Sequence, residues 1–257
     1  MQDDNNRQFP EGMEPLGSRS FSFRCHAGVS CYTRCCANVD MYLYPYDIIR
    51  LKRRLGISSG EFLQQYSRMV QGQNPYFPSL MMQMKDNDDK SCPFLVASGC
   101  SVYEDRPSSC RMYPLERAVD RNPQRGRPEE FYFLTNHPYC KGHQEQEKWT
   151  AREWLRNQGL LYYNLMDDLW AEIDTLFAGN PFEGEGVAGP RQQVAFMVCY
   201  NLDGFREYVL HHKLLDGFRL ESGRKRDLLA QDEELLKFGY DWLKLILGGV
   251  SSLRPKR

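Results

Sequence analysis

Cys25-His26-Ala27-Gly28-Val29-Ser30-Cys31-Tyr32-Thr33-Arg34-Cys35-Cys36 is the stretch around which the chain is organised. It holds four cysteines in twelve residues, and Cys92, Cys100, Cys110 and Cys140 follow, with Cys199 standing apart. A thiolate is a soft ligand that suits zinc or iron. Short spacings let one loop present several sulfurs to one ion at small closure cost, while distant ligands tie the fold together on binding. We therefore read Cys25, Cys31, Cys35, Cys36, Cys92, Cys100, Cys110 and Cys140 as metal ligands. They suffice for two four-sulfur sites, or for one such site with the rest around it. Cys199, in the apolar run Phe196-Met197-Val198-Cys199-Tyr200, reads as a core residue.

The setting favours metal over disulfides. The N-terminus is polar and no secretory pattern opens the chain. No apolar run reaches membrane-spanning length, so no membrane partner is expected. A cytoplasmic location follows, where thiols stay reduced, and an odd total of nine cysteines fits complete pairing poorly. With a net charge of -1 there is no global field to attract nucleic acid. Apolar residues at 41% and charged residues at 26% describe a folded chain.

Outward from the cluster, residues 1–20 read as a flexible leader and Phe21 to Phe23 as a short extended entry. Residues 25–40 read as a ligand-bearing loop. Pro45 opens a helix that runs to Gly56, and Ser58 or Ser59 caps the next. Met81 to Met84 and Phe131 to Leu134 are expected strands. Arg117, Arg121, Arg125 and Arg127 read as a solvated loop, because Glu116, Asp120, Glu129 and Glu130 intersperse them. From Trp149 the pattern turns helical. Leu161, Leu165, Leu169, Ile173 and Leu176 mark one apolar stripe, and Val194–Val209 and Leu228–Leu247 each read as one helix. The fold class is thus α+β and mostly helical: a loop-rich cysteine-cluster metal domain over 21–148, an α-helical domain over 149–250 and a basic tail over 251–257.

Several chemistries are excluded by spacing. The C-x3-C-x2-C loop of radical-SAM proteins fails at Asn38, and the ferredoxin C-x2-C-x2-C-x3-C run is absent. There is no phosphate-binding glycine loop, no H-E-x-x-H and no G-x-S-x-G. Arg24, Arg34, Arg111 and Lys141 each adjoin a cysteine, and Arg106 precedes Cys110 by four residues. Of these, Arg106 and Arg111 are the expected counter-charges to a negative thiolate site, their backbones fixed by Pro107 and Pro114. His26, His137 and His143 lie near cysteines and read as hydrogen-bonded or surface histidines. Tyr44, Tyr46, Tyr103 and Tyr113 read as packing around the metal core.

Phe23-x-Cys25, Cys31-x3-Cys35-Cys36, Cys92-Pro-Phe-Leu95, Gly99-Cys100-x-Val-Tyr103, Arg106-Pro-x-x-Cys110-Arg-x-Tyr-Pro114 and Cys140-x-Gly142 occur in this order. Over about residues 21–145 the chain resembles the YkgJ-type cysteine-cluster family, described as zinc- or iron-chelating. The opening gaps here are five and three residues, where many members have C-x2-C-x2-C-C. The resemblance implies a metal ion or cluster as partner; eight sulfurs with a vicinal pair, more than structural zinc requires, put iron–sulfur ahead of zinc. Asn201-Leu202-Asp203-Gly204-Phe205-Arg206 is similar to helical extensions of some members. Flagellin lysine methylases carry a similar cysteine domain, which makes a protein-lysine methyltransferase-like enzyme with an iron–sulfur cluster one alternative. A structural-zinc interaction module is the other. The sequence does not decide whether the chain is an enzyme, and names no protein partner.

Overall fold

The computed structural model describes residues 9, 14–121, 128–182, 184–185 and 188–256. The chain is mixed α+β, as expected. It divides into two compact units, each made of two segments: Met1–Cys35 with Ser109–Leu161 (unit 1), and Cys36–Ser108 with Tyr162–Arg257 (unit 2). No described helix is long and apolar enough to cross a membrane.

Unit 1 is built on two small antiparallel sheets. β1 (Ser20–Ser22) pairs with β9 (Lys148–Thr150), with Phe21 opposite Trp149. β7 (Leu115–Asp120) and β8 (Glu129–Leu134) form a six-residue hairpin ladder. The arginine-rich segment is therefore a strand as far as Asp120. Arg117 pairs with Glu130 across the ladder at 2.7 Å, because opposite charges on facing strands attract. Arg125 and Arg127 lie outside the described residues. Leu16 is buried and its N–H donates to Tyr132 O. Phe21, Phe23, Leu115, Phe133 and Trp154 fill the core, with the Phe23 and Trp154 rings edge to face. α4 (Ala151–Asn157) starts where Thr150 Oγ1 accepts from Glu153 N and the Glu153 carboxylate accepts from Thr150 N.

Unit 2 contains a three-stranded sheet in the order β2 (Tyr42–Leu43), β4 (Ser79–Met82), β3 (Ser67–Val70), and a tight hairpin of β5 (Leu95–Val96) with β6 (Gly99–Cys100). α1 (Pro45–Leu55) begins with proline in its first turn and ends at Gly56, whose φ of 67° suits a residue without a side chain. α2 (Ser59–Tyr66) is capped by Ser58, which exchanges hydrogen bonds with Glu61.

Most of α5 (Leu160–Ala178) belongs to this unit, and its buried face differs from the expected stripe. Leu161 and Leu165 are 62% and 49% exposed, whereas Tyr163, Met166, Trp170, Ile173 and Phe177 are buried. Both faces have helical apolar spacing, and the face with the larger aromatic area is the one buried. The run 194–209 is two helices, α6 (Pro190–Tyr200) and α7 (Leu202–His211), broken at Asn201, whose side chain accepts from Gly204 N. Likewise α8 (Ser222–Ala230) and α9 (Asp232–Ile246) are separated at Gln231. A five-residue α3 (Ser108–Met112) carries Cys110.

Candidate metal centre

All nine cysteines are thiols, and the two units share them unequally. Unit 1 holds Cys25, Cys31, Cys35, Cys110 and Cys140. Unit 2 holds Cys36, Cys92, Cys100 and Cys199.

In unit 1 the thiols collect around Tyr139. Burial raises the Tyr139 phenol above its ordinary pKa, and the Cys35, Cys140 and Cys31 thiols each push it further, while Arg34 opposes them. The Arg34 guanidinium sits 5.8 Å from the centre of that ring. The turn His137–Cys140, closed by Cys140 N donating to His137 O, delivers Cys140. The next amide, Lys141 N, donates to Cys31 Sγ at 3.0 Å. A backbone N–H aimed at sulfur is a donor that a metal-bound thiolate would accept from. Gly142 keeps this turn tight: a Cβ there would meet Phe23 Cε2 at 2.8 Å and Arg24 O at 2.9 Å.

The histidines separate by contact. His26 Nδ1 accepts from Gly28 N, and its Nε2 lies 3.2 Å from Glu145. His137 is stacked between Tyr113 and Tyr139. His143 Nε2 is buried without a hydrogen-bond partner. Burial holds this imidazole below its usual pKa against a hydrogen bond to the Thr135 backbone, which must therefore involve Nδ1. Tyr113 Oη is also buried and unpartnered. Burial raises its phenol, and the Cys140 thiol is the next largest influence. An orphaned hydroxyl facing a sulfur fits a site whose thiol becomes a charged acceptor once metal is bound.

In unit 2 the segment Cys36–Asn38 runs antiparallel to Lys90–Cys92, through an Ala37–Ser91 bridge and Cys92 N donating to Cys36 O at 2.7 Å. This pairing brings the Cys36 and Cys92 backbones alongside each other. The β5–β6 hairpin then sets Cys100 opposite Leu95. Burial raises the Cys92 thiol; the Phe94 and Leu95 amides and Lys85 pull it down, and the Cys100 thiol pushes it up. Cys92-Pro93-Phe94-Leu95 is a turn closed by Leu95 N donating to Cys92 O at 3.1 Å.

The expected counter-charges are placed variously. Arg106 and Arg111 are buried. In unit 2, Arg106 lies 3.8 Å from the Tyr103 ring centre; in unit 1, Arg111 Nη1 donates to Gln158 O. Arg24 pairs loosely with Glu147 at 3.5 Å. Tyr46 packs edge-on against Tyr162 and Tyr163 in the helical core, and Tyr44 is pushed up to about 12, mainly by burial. Cys199 is 2% exposed in α6, a core residue as its apolar surroundings imply.

As the thiols stand, no three His, Cys, Asp or Glu side chains among the described residues converge closely enough to hold an ion. The cysteines are gathered into neighbourhoods by backbone pairing, and a bound metal would have to draw their sulfurs inward. The donor chemistry fits such a group: soft sulfurs, an amide directed at one of them, and an orphaned phenol beside another. Sequence reasoning did not find Tyr139 or the Lys141, Phe94 and Leu95 amides. Adjacency to Cys140 pointed to Tyr139; backbone donors carry no residue signature.

No curated protein and no solved structure matches the chain. A family model does match, over residues 24–147, just under half of the chain, and it spans all eight proposed ligand positions. Residues 24–147 are thus similar to the CxxCxxCC family, described as a "Putative zinc- or iron-chelating domain".

Proposed function

We propose that the chain is a metal-binding protein whose ligands are drawn from Cys25, Cys31, Cys35, Cys36, Cys92, Cys100, Cys110 and Cys140, and that the metal is iron in an iron–sulfur cluster. The observation that carries this reading is the Lys141 N–H donating to Cys31 Sγ. An N–H···S bond of this kind strengthens when a bound metal makes the sulfur a thiolate. Eight sulfurs with a vicinal pair exceed what one structural zinc needs. A bound cluster would supply one-electron chemistry or a Lewis-acidic iron. The chain's own part is to present the thiols: in unit 1 with the Lys141 amide on Cys31 and Arg34 over Tyr139, in unit 2 with Lys85 near Cys92. A reducing compartment such as the cytoplasm suits this chemistry.

A second reading, structural zinc, is favoured by the compact Cys92-Pro93-Phe94-Leu95 turn, closed by Leu95 N donating to Cys92 O.

The test is metal and acid-labile sulfide content, with an absorption spectrum, on protein purified without oxygen or added metal. Iron with sulfide and a broad visible band supports the cluster. Colourless protein with stoichiometric zinc supports the second reading, and protein with neither metal removes both. Cys35→Ser and Cys110→Ser are expected to lose metal and solubility together.

A further inference from the structure

We propose that the corner of unit 2 formed by the ends of α7 and α9 and the last residues of the chain is a docking surface for an anionic lipid bilayer, bound from one side and without a spanning helix. This goes beyond metal binding and does not depend on it. The corner lies outside the residues that match the family model.

Backbone pairing gathers cations here. Arg219 N donates to Arg254 O at 3.0 Å and Lys256 N to Gly217 O at 2.7 Å, on either side of an antiparallel Phe218–Pro255 bridge. Phe218 is buried with its ring 5.7 Å from that of Phe238 on α9, whereas Arg219, Arg254 and Lys256 are exposed. The bond pattern sets Arg219 opposite Arg254, and like charges opposed across a pair are destabilising, so an anionic partner relieves the strain between them. Lys213 and Lys225 extend the group. Lys225 Nζ donates to Asp216 at 2.7 Å, and Lys225, Lys256 and Lys213 together hold this exposed carboxyl below its usual range. Over residues 213–227 and 254–256, seven Lys and Arg stand against three carboxylates, a local excess that the whole-chain charge of -1 conceals.

Apolar side chains protrude from the same corner. Tyr208 packs on Trp242 at 5.7 Å, which sets the last turns of α7 and α9 side by side. Leu210, Leu245 and Ile246 in those turns are exposed, and Val250, just past α9, is 94% exposed. The backbone around Val250 is tied down: Gly249 N donates to Lys244 O at 2.7 Å and Ser251 Oγ to Asp241 O at 2.8 Å. Val250 and Arg254 are four residues apart, so at most about 14 Å separates them. Aliphatic side chains bordered by Lys and Arg suit a bilayer surface, where the aliphatic groups enter the acyl boundary and the cations stay at the phosphates. A nucleic-acid backbone takes the cations but gives the aliphatic groups no partner, and the rings that would stack on bases, Phe218 and Trp242, are buried.

The experiment is co-sedimentation of the full-length chain with vesicles of phosphatidylcholine alone or mixed with phosphatidylglycerol, at low and at physiological salt. The expected result is binding to the anionic vesicles only, weakening as salt rises because screening shortens the reach of the cations. Each Lys or Arg near an anionic surface contributes about fivefold in affinity, so Arg219→Ser/Arg254→Ser/Lys256→Ser should bind about a hundredfold more weakly. Val250→Asp should weaken binding about tenfold, by removing an apolar contact and adding a like charge. Both variants change exposed positions and should keep the metal content of the wild type, which separates this inference from the metal-binding reading. Equal binding to neutral vesicles, no binding to either kind, or unchanged binding in either variant overturns the inference. If a DNA duplex is then retained at physiological salt, the corner belongs to nucleic-acid phosphates instead. Should a variant fail to fold, the lipid and salt dependence of the wild type decides alone.

Discussion

Asp203→Asn is the substitution whose cost follows most directly from the structure. Lys52 lies on α1 with its side chain 8% exposed, and its Nζ donates to Asp203 at 2.8 and 2.9 Å and meets Asp232 at 3.1 Å. Asp203 also accepts from Ser59 N at 2.7 Å and from Arg206 Nη1 at 2.7 Å. Arg206 bridges on to Asp232, and Arg53 joins Asp232 to Glu233. One carboxylate therefore neutralises a buried ammonium and fastens α1, α2 and α7. Burial pushes the Asp203 pKa up, but Lys52 and the Ser59 amide outweigh it and lower the carboxyl from 3.8 to about 2. At about 1.4 kcal/mol per pH unit this is ~2.4 kcal/mol. With the side chain 27% exposed, solvent screening brings the expectation to roughly 1.5–2 kcal/mol. Asparagine keeps the shape and the hydrogen-bonding oxygen but removes the charge.

The pH dependence has a definite sign. A depressed carboxyl pKa contributes stability that is complete above the unfolded value of about 3.9 and is lost as pH falls towards the folded value. About half of the contribution is gone at pH 3. Urea unfolding of wild type and Asp203→Asn at pH 7 and pH 3 should therefore give a gap of roughly 1.5–2 kcal/mol that shrinks by about half on acidification. A gap below about 0.5 kcal/mol at pH 7, the size typical of surface pairs, would refute the reasoning. So would a gap that does not change with pH, which would point to lost packing rather than lost charge.

Three further outcomes are expected. Gly142→Ala places a Cβ within 2.9 Å of Arg24 O, a backbone atom that cannot swing away, and should cost about 1–3 kcal/mol in thermal unfolding and lower metal content; wild-type melting and loading would contradict the close approach. Cys199→Ser buries a hydroxyl in the helical core and should cost about 1–3 kcal/mol while leaving metal content unchanged; loss of metal would end the division into eight ligands and one core cysteine. Removing metal with a chelator should raise amide exchange in β7–β8 well before α9, since two-stranded sheets with a small core are marginal alone whereas α9 is anchored by Leu235, Leu236, Phe238 and Leu243; uniform exchange across both would contradict it.

The parts of this fold that were legible from sequence are those set by neighbours along the chain. Pro45 and Gly56 bound α1, Ser58 and Glu61 start α2, and the cysteine spacing pointed to a metal-binding segment that the family match bears out. The misreadings arose where distant contacts decide. Nothing within 194–209 breaks a helix by propensity except Gly204, and the break is three residues earlier. Ser59, 142 residues away, donates through Oγ to Asn201 Oδ1 and accepts from Asp203 N, so the turn is stabilised from α2. Gly204 is glycine for the same reason: a Cβ there would meet the Asn201 side chain at 2.9 Å. Asn201-Leu202-Asp203-Gly204-Phe205-Arg206 thus acquires a structural meaning, a turn and ion network that binds the helices of unit 2 to α1 and α2.

The thiols follow the same rule. Sequence order gives Cys35 and Cys36 as one vicinal pair, yet they fall on opposite sides of the division between the units. What allots Cys36 to Cys92 is a backbone hydrogen bond across 56 residues of sequence. What meets the Cys31 sulfur is the amide of Lys141, 110 residues along the chain, whose side chain plays no part in that bond. Backbone donors are common to every residue type, so a list of cysteines states how many sulfurs are available but not which share a neighbourhood. The pairing of strands and turns makes that allocation before any metal arrives, and it does so through hydrogen bonds that are satisfied without the metal. Were metal bound, its binding energy would go into drawing these neighbourhoods closed rather than into creating them, so that the fold, and not the cysteine spacing alone, would decide which sulfurs meet.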